Sequence, residues 1–147
     1  MGLFDNAFDE REGEEGLSKA ESFAGVLLSA AACDGHISEE EAQGLYTTAA
    51  RMKLFESISP KKFSRIIDRL LGILKREGHE DLLDRSVQSL PDELRATAFA
   101  NACDLVLADQ GIEEEEKEFL SILQRKLHLE REESLKIFKI MVVKNRG

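Results

Sequence analysis

Apolar residues recur along most of the chain at spacings of three and four positions. The clearest run lies between Ser59 and Gly78, and its members are Phe63, Ile66, Ile67, Leu70, Leu71 and Leu74. This spacing places them on one face of an α-helix. Ser59 is a suitable N-cap before a proline in the first turn, and Gly78 is a suitable end. No segment alternates between apolar and polar residues with period two, so the chain predicts no strands.

Two further segments are apolar around most of their circumference when drawn as helices. The first extends from Leu17 to Cys33 and the second from Glu93 to Ala108. A helix without a polar face belongs in the interior of a domain. We therefore predict that these two helices pack together at the centre of the fold.

Shorter amphipathic segments complete the domain. We predict helices over about 38–53, 80–90, 113–128 and 130–144. The connections between them are short, as expected in a helical bundle. The sequence thus predicts an all-α single domain of about seven helices that covers residues 17–147.

Residues 1–16 differ from the rest of the chain, because they are rich in acidic side chains and glycine. We interpret them as an acidic N-terminal leader. Four apolar residues in it are spaced to dock as one short helical turn: Leu3, Phe4, Ala7 and Phe8.

An acidic motif occurs twice. Residues 33–41 read CDGHISEEE, and residues 108–116, at an offset of 75, read ADQGIEEEE. Asp34 aligns with Asp109, and Glu41 aligns with Glu116. Each copy follows an apolar helix and begins an acidic one, so the sequence predicts an internal pseudo-repeat of two helix–turn–helix units.

The repeated turn suggests a divalent cation site. Its pattern of glycine, apolar residue and later glutamate is similar to the second half of an EF-hand loop. The first and third ligand positions of such a loop would fall on Ala30 and Ala32, so the first copy is not a complete calcium loop. Its candidate ligands are all carboxylates: Asp34, Glu41, Asp109 and Glu116. Oxygen ligands favour magnesium or calcium, and zinc is less favoured.

A structural interpretation of the same residues remains open. Asp34 is suited to accept backbone N–H groups within its turn. Ser38 with Glu41 forms a capping box, as Ser18 does with Glu21, and glutamates suit a helix N-terminus in any case. Capping and cation binding are compatible with each other.

Composition narrows the possible partners. The formal net charge is −9, which argues against nucleic acid, because phosphate binding needs a basic surface. No apolar stretch reaches about 18 residues, and the N-terminus lacks the features of a signal peptide, so we predict no membrane insertion. Cys33 and Cys103 lie in apolar runs, which predicts buried free thiols and a cytoplasmic protein.

No catalytic constellation stands out. His36, His79 and His128 are scattered, which makes a zinc site or a histidine base a poor interpretation. The chain has no phosphate-binding loop and no dinucleotide fingerprint. We therefore predict that the protein is not an enzyme.

At the paired motif the sequence resembles the tellurite-resistance TerB family, which includes the N-terminal region of membrane-anchored DnaJ-like proteins. The similarity extends over residues 17 to about 144. It implies a compact helical bundle in bacteria with a role in tellurite resistance or a broader chemical-stress response. It also implies an interaction module with an acidic metal-binding surface, formed by Asp34, Glu41, Asp109 and Glu116, and no established catalysis.

The sequence therefore leads to two hypotheses. The first is a non-enzymatic stress-response module of the TerB type that binds a divalent cation, or a protein partner, through its paired acidic turns. The alternative is a structural adaptor that binds a partner protein through its helical grooves, with the acidic turns serving only as helix caps.

Overall fold

The computed structural model describes residues 16–108 and 112–146, and this part of the chain is all-α. It contains seven α-helices and two 3₁₀ turns, Lys53–Phe55 and Asp92–Leu94, with no strand among the described residues. The α-helices are α1 (Lys19–Ala31), α2 (Glu39–Ala49), α3 (Pro60–Glu77), α4 (His79–Ser89), α5 (Arg95–Leu107), α6 (Glu114–Lys126) and α7 (Arg131–Lys144). The predicted all-α bundle is confirmed.

Serine side chains begin three of these helices. The hydroxyls of Ser18, Ser38 and Ser59 each accept a hydrogen bond from a backbone N–H three residues later, at 3.0–3.1 Å. These bonds satisfy N–H groups that the first helical turn leaves without a partner. Helix α3 ends at Gly78, whose φ of 94° is accessible to glycine at low cost.

Helix α1 lies at the centre of the bundle, as its sequence predicts. Every residue from Ser22 to Ala30 is buried, and the helix packs against α2, α3, α4 and α5. Gly25 permits a close approach to α4, because a Cβ atom there would overlap the hydroxyl of Ser86. The predicted contact between the two most apolar helices, α1 and α5, is present.

The helix after the first acidic turn is shorter than predicted. It ends at Ala49 rather than near Lys53, and a 3₁₀ turn follows it. This turn places Phe55 in the core, where its ring meets those of Phe23 and Phe63 edge to face. The free energy gained by burying this aromatic ring thus outweighs the free energy gained by continuing the helix.

Helix α7 is the least buried element. Among its residues only Ser134 is buried, while Leu135, Ile140 and Val143 are more than half exposed. The helix packs mainly on α5. One face of α7 is therefore apolar and open to solvent.

Some sequence-based predictions fall outside the described residues. They include the leader up to Glu15, with its proposed docking turn, and residues 109–111 of the second acidic turn. The pseudo-repeat therefore stays a prediction, although α1–α2 and α5–α6 are both helix pairs that flank an acidic motif. No helix in the described ranges is long and apolar enough to cross a membrane.

Candidate functional site

The two acidic motifs meet in space. A cleft of about 330 Å³ lies between the C-terminal ends of α1 and α5 and the N-terminal turns of α2 and α6. Its polar lining comes from both copies of the motif: Cys33, Asp34, His36 and Glu41 from the first, and Glu113 and Glu116 from the second. Its base is apolar and includes Ala30, Leu105 and Val106. We call this feature the acidic cleft.

Asp34 stands at the mouth of the acidic cleft, after the end of α1. It is exposed, and its Oδ1 accepts a hydrogen bond of 3.0 Å from the backbone N–H of His36. Gly35, between these residues, has a φ of 93°, which makes the tight turn possible. The turn therefore uses one carboxylate oxygen, and no described residue bonds the other.

Glu41 and Glu116 occupy equivalent places in the two helices. Glu41 Oε1 accepts from the Ser38 N–H at 3.0 Å, and Glu116 Oε1 accepts from the Glu113 N–H at 2.8 Å. Hydrogen bonds from the backbone and side chain of Ser38 lower the pKa of Glu41. Both glutamates therefore act as helix-capping groups, as predicted for Glu41, and each keeps a second oxygen without a described partner.

The thiol of Cys33 is the most perturbed group in the cleft. Burial and the negative charges of Glu116 and Asp34 raise its pKa to about 11. The thiol is therefore protonated near neutral pH, which disfavours both nucleophilic chemistry and thiolate ligation. Apart from this protonated thiol and the ring of His36, the ionisable side chains that line the cleft are carboxylates.

Three of the four predicted ligands therefore share one site. Asp34, Glu41 and Glu116 line the acidic cleft, and Asp109 lies outside the described residues. Glu113 also lines the cleft, although we did not predict it as a ligand. The repeat could have indicated Glu113, because this residue aligns with Ser38 of the first copy.

The cleft is not a closed metal site. Within residues 16–108 and 112–146, no group of three His, Cys, Asp or Glu side chains is arranged to hold a metal ion. A cation there would be held by one or two of these carboxylates, and water would complete its coordination.

A second concave surface lies between α5, α6 and α7. This apolar groove has a volume of about 300 Å³, and its walls include Phe99, Leu120, Leu135 and Phe138. Lys117 and Arg131 also line it, so the charge at this groove is opposite to that of the acidic cleft. We call it the α7 groove.

Comparison with known proteins does not assign this chain to a family. A scan against protein-family models, a search of curated proteins and a search of solved structures each gave no significant match.

Proposed function

We propose that this chain is a non-enzymatic module of the tellurite-resistance TerB type that binds a divalent cation weakly in the acidic cleft. The observation that carries the proposal is the meeting of the two motifs. Carboxylates from α1–α2 and from α5–α6 line one cleft, although they are far apart in the sequence. Magnesium and calcium are the ions whose ligand preferences match this lining.

Electrostatics supports the same proposal. Asp34 follows the C-terminal end of α1, where the helix dipole is unfavourable for an anion. Glu113 and Glu116 add negative charge to the cleft from the other helix pair. A bound cation would offset this repulsion. The same field would repel tellurite, which is an anion, so the proposed role in stress resistance does not involve direct tellurite binding.

The proposed role in chemical stress follows from the resemblance to the TerB family. In that setting, the module would act in the bacterial cytoplasm during chemical stress and would have a protein partner. A hydrated cation held at an open cleft can connect two acidic surfaces, because it can share its coordination positions between them.

Calorimetric titration with magnesium, calcium and zinc tests the proposal. We expect heat of binding with magnesium or calcium in the wild type and its loss in Asp34→Asn. This substitution removes a charge but keeps an oxygen that can accept from the His36 N–H. Glu40→Gln is the matched control, because Glu40 is an exposed neighbour that does not line the cleft. Absence of heat in the wild type, or equal binding by Asp34→Asn, would contradict the proposal.

The second candidate function is that of an adaptor that binds a partner through a helical groove. The observation in its favour is the α7 groove, in whose wall Leu135 is 56% exposed. Contiguous exposed apolar surface often marks an interaction site. In this case the acidic turns would act only as caps, and Asp34→Asn would leave partner binding unchanged.

A further inference from the structure

The α7 groove combines an apolar lining with basic charge on an acidic protein. Lys117 and Arg131 line the groove together with no acidic side chain of the described residues, whereas the whole chain has a net charge of −9. Leu135 lines the groove and is 56% exposed, and Phe99, Leu120 and Phe138 add to the apolar lining. An occupant of this surface should therefore be both apolar and acidic.

The chain itself contains such a segment. Residues 1–15 carry six acidic side chains and one arginine. Within the same segment are Leu3, Phe4 and Phe8, which are large apolar residues. The composition of the leader is thus complementary to the α7 groove in both charge and hydrophobicity.

The described chain begins at the end of the bundle where α7 also begins. The Leu17 N–H donates to Ser89 Oγ at 3.3 Å, and Lys19 forms an ion pair with Glu93 at 3.8 Å. Near Glu93, the guanidinium of Arg95 donates to the carbonyl of Leu127 at 2.7 Å. Leu127 is the C-cap of α6 and precedes the turn into α7.

The leader is long enough to reach the groove. Extended chain covers about 3.3 Å per residue, so the segment from Phe8 to Gly16 can span roughly 26 Å. Helix α3, the longest of the bundle, has 18 residues and is therefore about 27 Å long. The reach of the leader is thus comparable with the length of the bundle.

We infer that the acidic leader of this chain docks in the α7 groove, with Phe4 and Phe8 against the apolar wall and its carboxylates near Lys117 and Arg131. Lys117 is available for this contact, because its ion pair with Glu114 is exposed and contributes little. The inference deepens the second candidate function, since a docked leader would compete with a partner for the groove. It does not depend on cation binding, so failure of the acidic cleft to bind a cation leaves it intact.

A single tryptophan tests this inference in the full chain. The sequence has no tryptophan, so Phe8→Trp gives an emission that reports on the leader alone. We expect this emission to be blue-shifted in the folded protein relative to the denatured protein, because the indole is removed from water. The shift should be lost when Leu135→Asp is added.

Val143→Asp is the matched control. Val143 lies on the same helix and is exposed to a similar degree, 63% against 56% for Leu135, but it does not line the groove. It should leave the shift unchanged. Because both positions are largely exposed, both variants should keep the circular dichroism of the folded protein.

Three outcomes would overturn the inference. The first is an emission maximum in the folded protein equal to that in denaturant. The second is a blue shift that survives Leu135→Asp. The third is a shift that appears only as protein concentration rises, which would assign the groove to the leader of a second copy.

Hydrogen exchange provides an independent measurement without tryptophan. The double variant Phe4→Asp with Phe8→Asp should increase the exchange of amides in α7 and leave α1 unchanged. Equal exchange of α7 in this variant and in the wild type would also overturn the inference.

Discussion

Glu116 and Cys33 line the same acidic cleft, although the two residues belong to different copies of the repeated motif. After burial, the charge of Glu116 is the largest influence that raises the pKa of Cys33 to about 11. This relationship makes Cys33 a reporter of the distance between the two acidic turns. Its reactivity depends on the thiolate fraction and therefore on that pKa.

Removal of the charge at position 116 should increase the reactivity of Cys33. In Glu116→Gln the pKa of the thiol should fall, and a fall of about half a unit would raise the thiolate fraction about threefold. The measurement is the rate of alkylation of Cys33 at a fixed, mildly alkaline pH. Cys103 serves as an internal reference, because it is fully buried and its pKa is raised by burial and by Asp104 to about 12.

Glu118→Gln is the control for this experiment. Glu118 lies on the same helix and is exposed, but it does not line the cleft. It should leave the alkylation rate of Cys33 unchanged. Equal rates in Glu116→Gln and the wild type would show that the two turns are not adjacent in solution.

Gly25 should be intolerant of a side chain. In Gly25→Ala the new methyl group would meet the Ser86 hydroxyl, and displacement of α4 should cost about 1–3 kcal/mol. Urea unfolding provides the measurement. Gly44→Ala on α2 is the matched control, because its methyl group would meet nothing within 4 Å. Because glycine is less favourable than alanine inside a helix, the replacement should stabilise this variant by up to about 1 kcal/mol.

Unchanged stability of Gly25→Ala would contradict the close crossing of α1 and α4. In a Ser86→Gly background, Gly25→Ala should cost less than it does in the wild type, since the hydroxyl that the methyl group meets is absent. An equal cost in both backgrounds would mean that it arises elsewhere.

Glu21 should make the stability depend on pH in the acid range. Burial opposes ionisation of this carboxyl, but hydrogen bonds from the Ser18 N–H and from Arg69 prevail and lower its pKa below 4.5. Its contribution is therefore complete above the unfolded-state pKa and is lost as the pH falls through the folded-state value. We expect Glu21→Gln to cost about 1 kcal/mol at neutral pH and nothing at low pH.

Chemical denaturation of Glu21→Gln and the wild type across this pH range provides the measurement. Arg69 is 31% exposed and Glu21 15%, so high salt should reduce the difference only in part. A difference between the two proteins that stayed constant down to low pH would exclude a role for the Glu21 charge.

The sequence predicts the helices well because their signals are local. Serine caps at Ser18, Ser38 and Ser59 and the glycine at Gly78 mark helix ends through short-range hydrogen bonds and backbone freedom, and the structure has them at those places. The end of α2 was predicted about four residues late. Its position depends on the packing of Phe55 against Phe23 of α1 and Phe63 of α3, which are separate elements of the fold.

The residues of the candidate site could be predicted from the sequence, but their arrangement in space could not. The repeat identified Asp34, Glu41 and Glu116 as members of one pattern, but helical periodicity does not determine which ends of a bundle meet. The packing of α1 against α5 supplies that information, since both acidic turns follow these helices. The exposed apolar side chains of α7 were also not predicted, because a helical pattern shows which residues are apolar but not whether another element covers them.

Cation binding in the acidic cleft can be measured through the reactivity of Cys33. A cation bound between Asp34 and Glu116 would place positive charge near the thiol and lower its pKa. We predict that calcium or magnesium raises the alkylation rate of Cys33 to a plateau in the wild type and has no effect in Asp34→Asn. An alkylation rate of the wild type that stays constant over the whole cation titration would contradict the account.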